Sequence, residues 1–346
     1  MKAVSISNYG SSSVLKFGEN VETPTPTSTQ VLVKVKATSV NPIDVMKREG
    51  YGRTIFEKQR SFRFPWILGS DVSGVVERVG SKVTKFYEGQ EIWGCTSSAS
   101  QGTYSEYAVF FENELTNKPK NLSHLEAASM PYVALSVWSA LIRWAGLRPK
   151  DIQHKKIFVQ AGSGGVGTFA IQLLHYWGAK IYTTCRSNNS ELLISLGADK
   201  TIDYTREDFS NIVKDFNIAL DLLGDLGGEE SVSKTVNALE KSSSSIYITL
   251  NHPTLRLMDT KGVLLGVPSV LLEREKIRRA YRPINIYWSL YRPNISGLEE
   301  VTRLVEEQKI RPIIDSVFNL ENIKEAHEKV ATSHSVGKVV IKVSDD

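Results

Sequence analysis

The chain has 346 residues, enough for two domains, and its 41% hydrophobic and 23% charged content is ordinary for a folded globular protein. A net charge of only +4, with the basic residues dispersed, makes nucleic-acid binding a poor explanation. Because the chain has no run of about eighteen apolar residues, no transmembrane helix is predicted, and two distant cysteines exclude a disulfide framework.

The first third of the chain has the pattern of short strands separated by turns. Gln30–Ala37 alternates apolar and polar residues, and further strands are predicted at Asp71–Val79 and Gln90–Trp93. Gly80 and Gly89 separate these strands. Short strands at close spacing with glycine turns predict a small β-barrel or sandwich domain.

Two segments of this domain carry side chains suited to binding. Asn41-Pro42-Ile43-Asp44 follows a predicted strand, where Asn and Asp commonly form turns with their own backbone, so a turn is favoured over a catalytic role. Gly50-Tyr51-Gly52 would place a mobile aromatic residue in a loop that continues to about residue 60. Long loops on rigid scaffolds often line binding sites, although a plain surface loop fits the same pattern.

After Leu122, helical and strand patterns alternate. An apolar helical stretch, His124–Gly146, is interrupted at Pro131. The following elements are predicted from Lys155 onward: strands at Lys156–Gln160, Ala179–Thr184, Lys200–Asp203, Asn217–Leu222 and Ser245–Leu250, with helices at Ser190–Leu196 and Gly227–Leu239. This alternation predicts a parallel, doubly wound sheet.

The motif Gly162-x-Gly164-x-x-Gly167 lies between the first of these strands and an amphipathic helix that ends at Gly178. In that context the glycines permit a tight turn, the approach of backbone amides to a pyrophosphate, and close packing of helix on strand. The N-terminus of the helix adds free N–H groups and partial positive charge. A dinucleotide site is therefore predicted, with a purely structural turn as the alternative.

The end of the second strand of the parallel sheet favours NADP over NAD. An NAD site carries an acid about twenty residues beyond the glycines, but no acid occurs here before Glu191. Arg186 instead supplies a cation and Ser187 a hydrogen-bond donor, which suit a 2′-phosphate. An unrelated surface arginine is the alternative.

The last part of the chain contains a basic segment and three predicted elements. Glu273–Arg282 could meet a membrane surface or an acidic partner, but a solvated helix face is the more usual explanation. Helices are predicted at Gly297–Lys309 and Leu320–Ala331, with a strand at Lys309–Phe318. The two cysteines and six histidines lack the spacing of zinc ligands, so no metal site is predicted.

Several motifs together resemble the medium-chain dehydrogenase/reductase superfamily, in its quinone oxidoreductase branch. The likeness covers nearly the whole chain and rests on Asn41-Pro42-x-Asp44, Gly69-x-Asp71-x-x-Gly74, Gly102–Tyr107, Ala161–Gly167 with Gln172, and Gly337–Val340. Within the branch it is closest to the mitochondrial members that interact with reticulons, at Asn41–Val45, Pro131–Leu135 and Gly167–Gln172.

The resemblance implies an α/β protein with a GroES-like β-rich catalytic domain and a Rossmann doubly wound parallel sheet. The GroES-like domain would span residues 1–125 and be completed by the tail, residues 285–346. The Rossmann domain, residues 126–284, would bind NADPH. Residues of both regions are expected to contact that cofactor: Gly162, Ser163, Gly164, Gly165, Val166, Gly167, Arg186, Ser187, Tyr204, Leu250, His334, Ser335 and Val336.

The activity implied by the resemblance is zinc-independent transfer of hydride from NADPH to a quinone or an α,β-unsaturated carbonyl. The carbonyl oxygen gains negative charge and needs donors, for which Asn41, Tyr51 and Tyr132 are the candidates. The alternative is a regulatory or scaffold protein that binds NADPH and acts through a protein partner, of the reticulon type by resemblance. A homodimer is expected on the same basis.

The resemblance places the protein in the mitochondrion. The N-terminus shows no presequence, and few cysteines suit a reducing compartment, so the cytoplasm is the alternative. Peripheral contact with a membrane is compatible with both locations.

Overall fold

The computed structural model describes residues 1–59, 62–96 and 101–345. These residues form two compact units. The first comprises Met1–Leu135 and the chain from Pro293 onward, and the second comprises Ser136–Arg292. The second unit extends beyond residue 284, the end implied by the resemblance, because a strand at Asn285–Trp288 still belongs to its sheet.

The helices and strands fall into three groups along the chain. The amino-terminal group contains β1 (Ala3–Ile6), β2 (Lys16–Gly18), β3 (Gln30–Val40), α1 (Pro42–Arg48), α2 (Arg53–Phe56), β4 (Trp66–Ile67), β5 (Asp71–Val79), β6 (Glu91–Cys95), β7 (Tyr107–Phe111), β8 (Leu115–Asn117) and α3 (His124–Ala128). The middle group contains α4 (Pro131–Trp138), α5 (Pro149–Ile152), β9 (Lys156–Gln160), α6 (Gly165–Tyr176), β10 (Lys180–Cys185), α7 (Ser190–Ser195), β11 (Lys200–Asp203), β12 (Ile218–Asp221), α8 (Gly228–Asn237), β13 (Ile246–Thr249), α9 (Thr254–Ala280) and β14 (Asn285–Trp288). The carboxyl-terminal group contains α10 (Ile295–Glu306), β15 (Ile314–Asn319), α11 (Ile323–Ala331) and β16 (Lys338–Lys342).

The first unit is built on a seven-stranded sheet with β3 near its centre. The order is β15-β16-β3-β5-β6-β8, with β7 also paired to β3, and a separate three-stranded sheet has the order β2-β1-β4. Val33, Val72 and Phe110 are fully buried in its core. The β-rich domain predicted from alternation and glycine turns is confirmed, and the tail strand β16 runs antiparallel to β3.

The second unit is built on a six-stranded sheet in which every neighbouring pair is parallel. Its order, β11-β10-β9-β12-β13-β14, places its first strand in sequence, β9, beside its fourth, β12, at the centre, as in doubly wound dinucleotide-binding folds. Phe158, Ala219 and Tyr247 are buried in its core. The predicted α/β class and parallel sheet are confirmed; β14, which the sequence analysis did not identify, is an edge strand.

Two local predictions in the first unit were wrong. Asn41 is the N-cap of α1 rather than a residue of a simple turn, and the Asp44 carboxylate accepts the Asn41 backbone N–H at 2.9 Å. An Asp three residues after the cap closes the first helical turn in the same way as the Glu of a capping box. The predicted loop after Tyr51 contains a short helix, α2, and its predicted end at Arg60 lies outside the described residues.

One described helical stretch, His124–Trp144, is long and apolar enough to cross a membrane by length and composition, with a mean hydropathy of 1.3. In the structure 72% of its most apolar segment of 18 residues is buried, as is typical of a core helix in a folded protein. It is therefore weak support for a membrane span.

Candidate active site

The glycine motif forms the turn between β9 and α6. A Cβ on Gly162 would lie 2.0 Å from the Thr183 hydroxyl oxygen, and one on Gly167 would lie 2.6 Å from the carbonyl oxygen of Ala161. Both glycines are therefore required for close packing. A Cβ on Gly164, in contrast, would meet only one atom, at 3.8 Å, so its backbone faces open space. This is the glycine at which the motif allows a pyrophosphate to approach.

Three predicted cofactor contacts lie together where β10 and β11 end: Arg186 and Ser187, which were predicted to recognise the 2′-phosphate, and Tyr204. Arg186 and Tyr204 are exposed, and Arg186 Nε donates to the Tyr204 hydroxyl oxygen at 3.2 Å. The Ser187 backbone N–H donates to Asp203 Oδ2 at 3.0 Å, and the Ser187 hydroxyl donates to the same oxygen. The parallel sheet thus brings all three predicted side chains to one edge.

Asp203, the last residue of β11, was missed by the sequence analysis. Hydrogen bonds from the hydroxyls of Ser187 and Thr205 hold the pKa of this carboxyl well below its usual range. Thr205 contributes its backbone N–H at 2.9 Å and its hydroxyl at 2.7 Å. The signal was available, since the carboxyl ends of adjacent parallel strands meet at one edge of the sheet.

The other predicted cofactor contacts are distributed over both units. Leu250 follows β13 and is half-buried, as are Ser163, Gly165 and Val166 in the glycine turn. His334, Ser335 and Val336 belong to the first unit, in the turn between α11 and β16. The Ser335 hydroxyl is buried and has no hydrogen-bond partner within the described chain, so it could accept or donate a bond to a ligand.

A buried polar cluster in the first unit is centred on Asp71. Asp71 Oδ1 accepts the backbone N–H of Tyr132 at 2.6 Å, which fixes the first turn of α4. Its Oδ2 accepts from Asn41 Nδ2 at 2.8 Å and lies 3.5 Å from Lys338 Nζ. Lys338 Nζ in turn donates to Asn41 Oδ1 at 2.5 Å. Asn41 is only 1% exposed, and both ends of its amide are bonded within the protein.

A second chain of buried groups connects to this cluster through Asp44. Ser70 donates to Asp44 Oδ1 at 3.0 Å. Burial, followed by the charge of Asp44, raises the pKa of the fully buried Tyr104 hydroxyl well above its usual value. His327 Nε2 lies 3.1 Å from the Tyr104 hydroxyl, and its Nδ1 lies 3.4 Å from Arg48. Because Arg48 can only donate, Nδ1 accepts and Nε2 carries the proton.

Burial sets the protonation of this chain of groups. It raises the pKa of Asp44, an effect opposed mainly by the charge of Lys47. It lowers the pKa of His327 to about 3, and the charge of Arg48 adds to the shift. The imidazole is therefore neutral at physiological pH. No sequence pattern indicated the His327 contact, since Arg48, Tyr104 and His327 are far apart along the chain.

Tyr51 and Tyr132 are half-buried, unlike Asn41. Burial, followed by the charges of Cys95, Asp44, Asp71 and Tyr51, raises the pKa of Tyr132 well above its usual value, so its hydroxyl stays protonated. Tyr51 is held between Gly50 and Gly52, whose φ angles of 95° and 80° are in the left-handed region. The structure thus places Tyr51 and Tyr132 in one electrostatic neighbourhood.

The donor set does not fit a catalytic zinc ion. Among the described residues, no group of three or more His, Cys, Asp or Glu side chains is arranged to hold a metal. Asp71, the central acid, already has the ammonium group of Lys338 beside it. Cys185 offers no thiolate, because burial, followed by the charge of Asp203, raises its pKa to about 11.

Comparisons with known proteins agree with this architecture. A family model described as "Alcohol dehydrogenase GroES-like domain" matches residues 27–120, and one described as "Zinc-binding dehydrogenase" matches residues 196–341. A quinone oxidoreductase structure from Coxiella burnetii is 29% identical, with a TM-score of 0.81 and 99% of each chain covered.

Two curated relatives extend over nearly the whole chain. The mouse protein "NAD(P)H oxidoreductase RTN4IP1, mitochondrial" is 38% identical over 99% of this chain and 89% of its own length. The Caenorhabditis elegans protein "Reticulon-4-interacting protein 1, mitochondrial" is 32% identical over 90% of this chain and 88% of its own. These names support the mitochondrial localisation that the resemblance implied. The chain belongs to the medium-chain dehydrogenase/reductase superfamily, in the family of these reticulon-4-interacting oxidoreductases.

Proposed function

We propose that this chain is a zinc-independent oxidoreductase that transfers hydride from NADPH to a quinone or an α,β-unsaturated carbonyl. The observation that carries the proposal is the glycine turn, in which Gly164 faces open space while Gly162 and Gly167 are packed against backbone and side chains. The family supports the class of reaction, since its members are named NAD(P)H oxidoreductases.

Binding of the cofactor is assigned to residues already described. The turn from Gly162 to Gly167 and the N-terminus of α6 would hold the pyrophosphate. Arg186, with Tyr204 beside it, would hold the 2′-phosphate. The negative charge of Asp203 would repel the 2′-phosphate, but both carboxylate oxygens of Asp203 already accept hydrogen bonds from Ser187 and Thr205. The charge of Arg186 therefore favours NADPH over NADH.

When bound, NADPH supplies the hydride. The chain's own contribution is to place donors where the carbonyl oxygen becomes negative. Tyr51 and Tyr132 suit this role, because Tyr132 keeps its proton and the backbone of Tyr132 is fixed by Asp71. Asn41 acts as a positioning residue in this proposal: its buried amide joins Asp71 to Lys338, and through Asp71 it supports Tyr132.

The geometry also favours positioning over a dedicated general acid. Within the described part of the chain, His327 is the buried histidine linked to this network; it is neutral and lies beyond Tyr104 and Asp44. The proton that completes reduction is therefore assigned to solvent. Most of the rate enhancement would come from orientation of the reactants and exclusion of water.

The alternative is a regulatory or scaffold protein that binds NADPH and acts on a protein partner, which the name of the nematode relative favours. Oxidation of NADPH by the purified protein, followed by its absorbance, separates the two. The acceptors would be short-chain quinones, lipid-tailed quinones and 2-alkenals, with NADH as the control donor. Turnover that prefers NADPH supports the reductase. Tight NADPH binding without turnover on any acceptor supports the scaffold.

A further inference from the structure

The helix α9 carries an exposed apolar surface on the second unit. Leu264, Leu265, Leu271 and Leu272 are 90%, 68%, 61% and 72% exposed, and they are among the most exposed large apolar side chains of the described residues. We name these four residues the leucine face. Single exposed leucines are ordinary, but four on one helix form a contiguous patch of the kind that marks an interaction site.

The spacing of the leucines follows from the helix geometry. Gly262, with φ of 69°, breaks α9, so that the part that follows is a separate helical segment. Leu264 and Leu271, like Leu265 and Leu272, are seven residues apart, which is two turns and places them on one side. Val270 and Ile277 on the opposite side pack against the core of the second unit. A surface helix normally has one apolar side, whereas this one has two.

Basic residues continue the same segment. Between Lys261 and Arg282 the chain has six basic and two acidic residues, a net charge of +4, which equals the net charge of the whole chain. The rest of the chain is therefore balanced. Arg278 and Arg279 lie two turns beyond Leu271 and Leu272, on the same side of the helix, and both are exposed. They share Glu275 as an ion-pair partner, at 3.0 and 2.8 Å.

We propose that the leucine face and the adjoining arginines dock this protein on the surface of an anionic lipid bilayer. At a membrane surface, apolar side chains are buried below the lipid headgroups and basic side chains lie among the lipid phosphates. The leucines and the basic residues that follow them on one side of the helix suit these two layers. A second copy of the chain is a poorer occupant. An isologous contact through this face would bring two segments of charge +4 together.

This surface does not depend on the proposed reaction, so it is tested without an activity assay. The purified full chain would be floated with vesicles of phosphatidylcholine, either alone or with about one quarter phosphatidylserine. We expect binding to the anionic vesicles that weakens with salt, and at least about fivefold less binding to the neutral ones.

Two pairs of variants test the residues. Leu271→Gln combined with Leu272→Gln should lower binding to anionic vesicles at least about fivefold. Leu226→Gln, at a leucine 64% exposed elsewhere in the same unit, should leave it unchanged. Arg278→Gln with Arg279→Gln should also lower binding, whereas Lys150→Gln with Lys155→Gln should not. Because all of these positions are exposed, folding should persist, and circular dichroism checks it.

Three results would overturn the proposal. One is the absence of binding to anionic vesicles, and another is equal loss in the leucine variant and in Leu226→Gln. The third is a protein that does not bind vesicles but forms a homo-oligomer, measured by light scattering, which dissociates in the leucine variant. That result would assign the leucine face to contacts between copies of the chain.

Discussion

The ammonium group of Lys338 lies 2.5 Å from the side-chain oxygen of Asn41, inside the first unit. Lys338 comes from the last strand of the chain and Asn41 from the cap of its first helix. Lys338 is also 3.5 Å from Asp71, with side-chain exposures of 6% and 0% for the pair. One buried cation thus joins the tail to the residues that hold Tyr132.

Lys338→Met is expected to destabilise the protein. The substitution leaves the Asp71 carboxylate buried without its cation, which costs about 3–5 kcal/mol of unfolding free energy. Lys342→Met is the matched control, because its ion pair with Asp345 is exposed and should contribute less than about 1 kcal/mol. Urea unfolding measures both variants, and equal effects would show that the buried pair contributes little.

Asn41→Ala is expected to lower kcat by about tenfold or more, with a much smaller change in NADPH affinity. The reason is that Asn41 fixes Asp71, and Asp71 fixes the backbone of Tyr132, while the glycine turn lies elsewhere in the chain. Steady-state kinetics at saturating NADPH and a separate binding titration give the two quantities. Asn8→Ala, at an exposed asparagine, is the control. Unchanged turnover would remove Asn41 from the proposed role.

The sequence predicted five of the six strands of the second unit. The central strands β9 and β12 read as short apolar runs because they are buried on both faces. The predicted strands Lys156–Gln160 and Lys200–Asp203 match β9 and β11 at both ends. The glycine turn was predictable because tight turns demand a particular residue type at fixed spacing. β14 escaped prediction, since its four residues follow a long helix without a glycine turn.

The buried network of the first unit was much harder to predict. Asn41, Asp71 and Lys338 belong to three distant segments, and only strand pairing brings them together. Sequence periodicity reports which face of an element is buried but not which polar groups meet across a sheet. The helix at Asn41 was mistaken for a turn because Asn and Asp favour both turns and helix caps.

Acid is expected to destabilise the protein in part through His327. Its pKa is about 3 in the folded chain, lowered by burial and Arg48, against about 6.5 when unfolded. Between pH 6.5 and pH 3 the unfolded chain binds a proton at this histidine that the folded chain does not bind. The unfolding free energy therefore decreases as the pH falls, by up to about 1.4 kcal/mol per pH unit for one group. In His327→Gln, which keeps an acceptor and a donor, the pH dependence of the unfolding free energy between pH 6.5 and 4 should be shallower. An unchanged slope would assign the acid sensitivity to other groups.

Arg186→Ala is expected to lower kcat/KM for NADPH by about tenfold to a hundredfold, because a charge-assisted bond to the 2′-phosphate is lost. The value for NADH should change little, since NADH lacks that phosphate. Arg206→Ala, at an exposed arginine of the same unit, is the control. A parallel loss for both cofactors would show that Arg186 supports the fold of this edge rather than the phosphate.

Gly164→Ala and Gly167→Ala should separate cofactor binding from folding. An alanine Cβ at residue 164 meets nothing closer than 3.8 Å, so the fold should tolerate it, but the methyl group occupies the space through which a pyrophosphate approaches the backbone. We expect the NADPH dissociation constant to rise at least about tenfold while the unfolding midpoint changes little.

At residue 167 the Cβ would lie 2.6 Å from backbone atoms of both Ala161 and Gly162, so the unfolding midpoint itself should fall. Thermal unfolding without cofactor and fluorescence titration with NADPH measure the two effects independently. If Gly164→Ala bound NADPH with unchanged affinity, the pyrophosphate could not lie at this turn, and the assignment of the cofactor site would fail there.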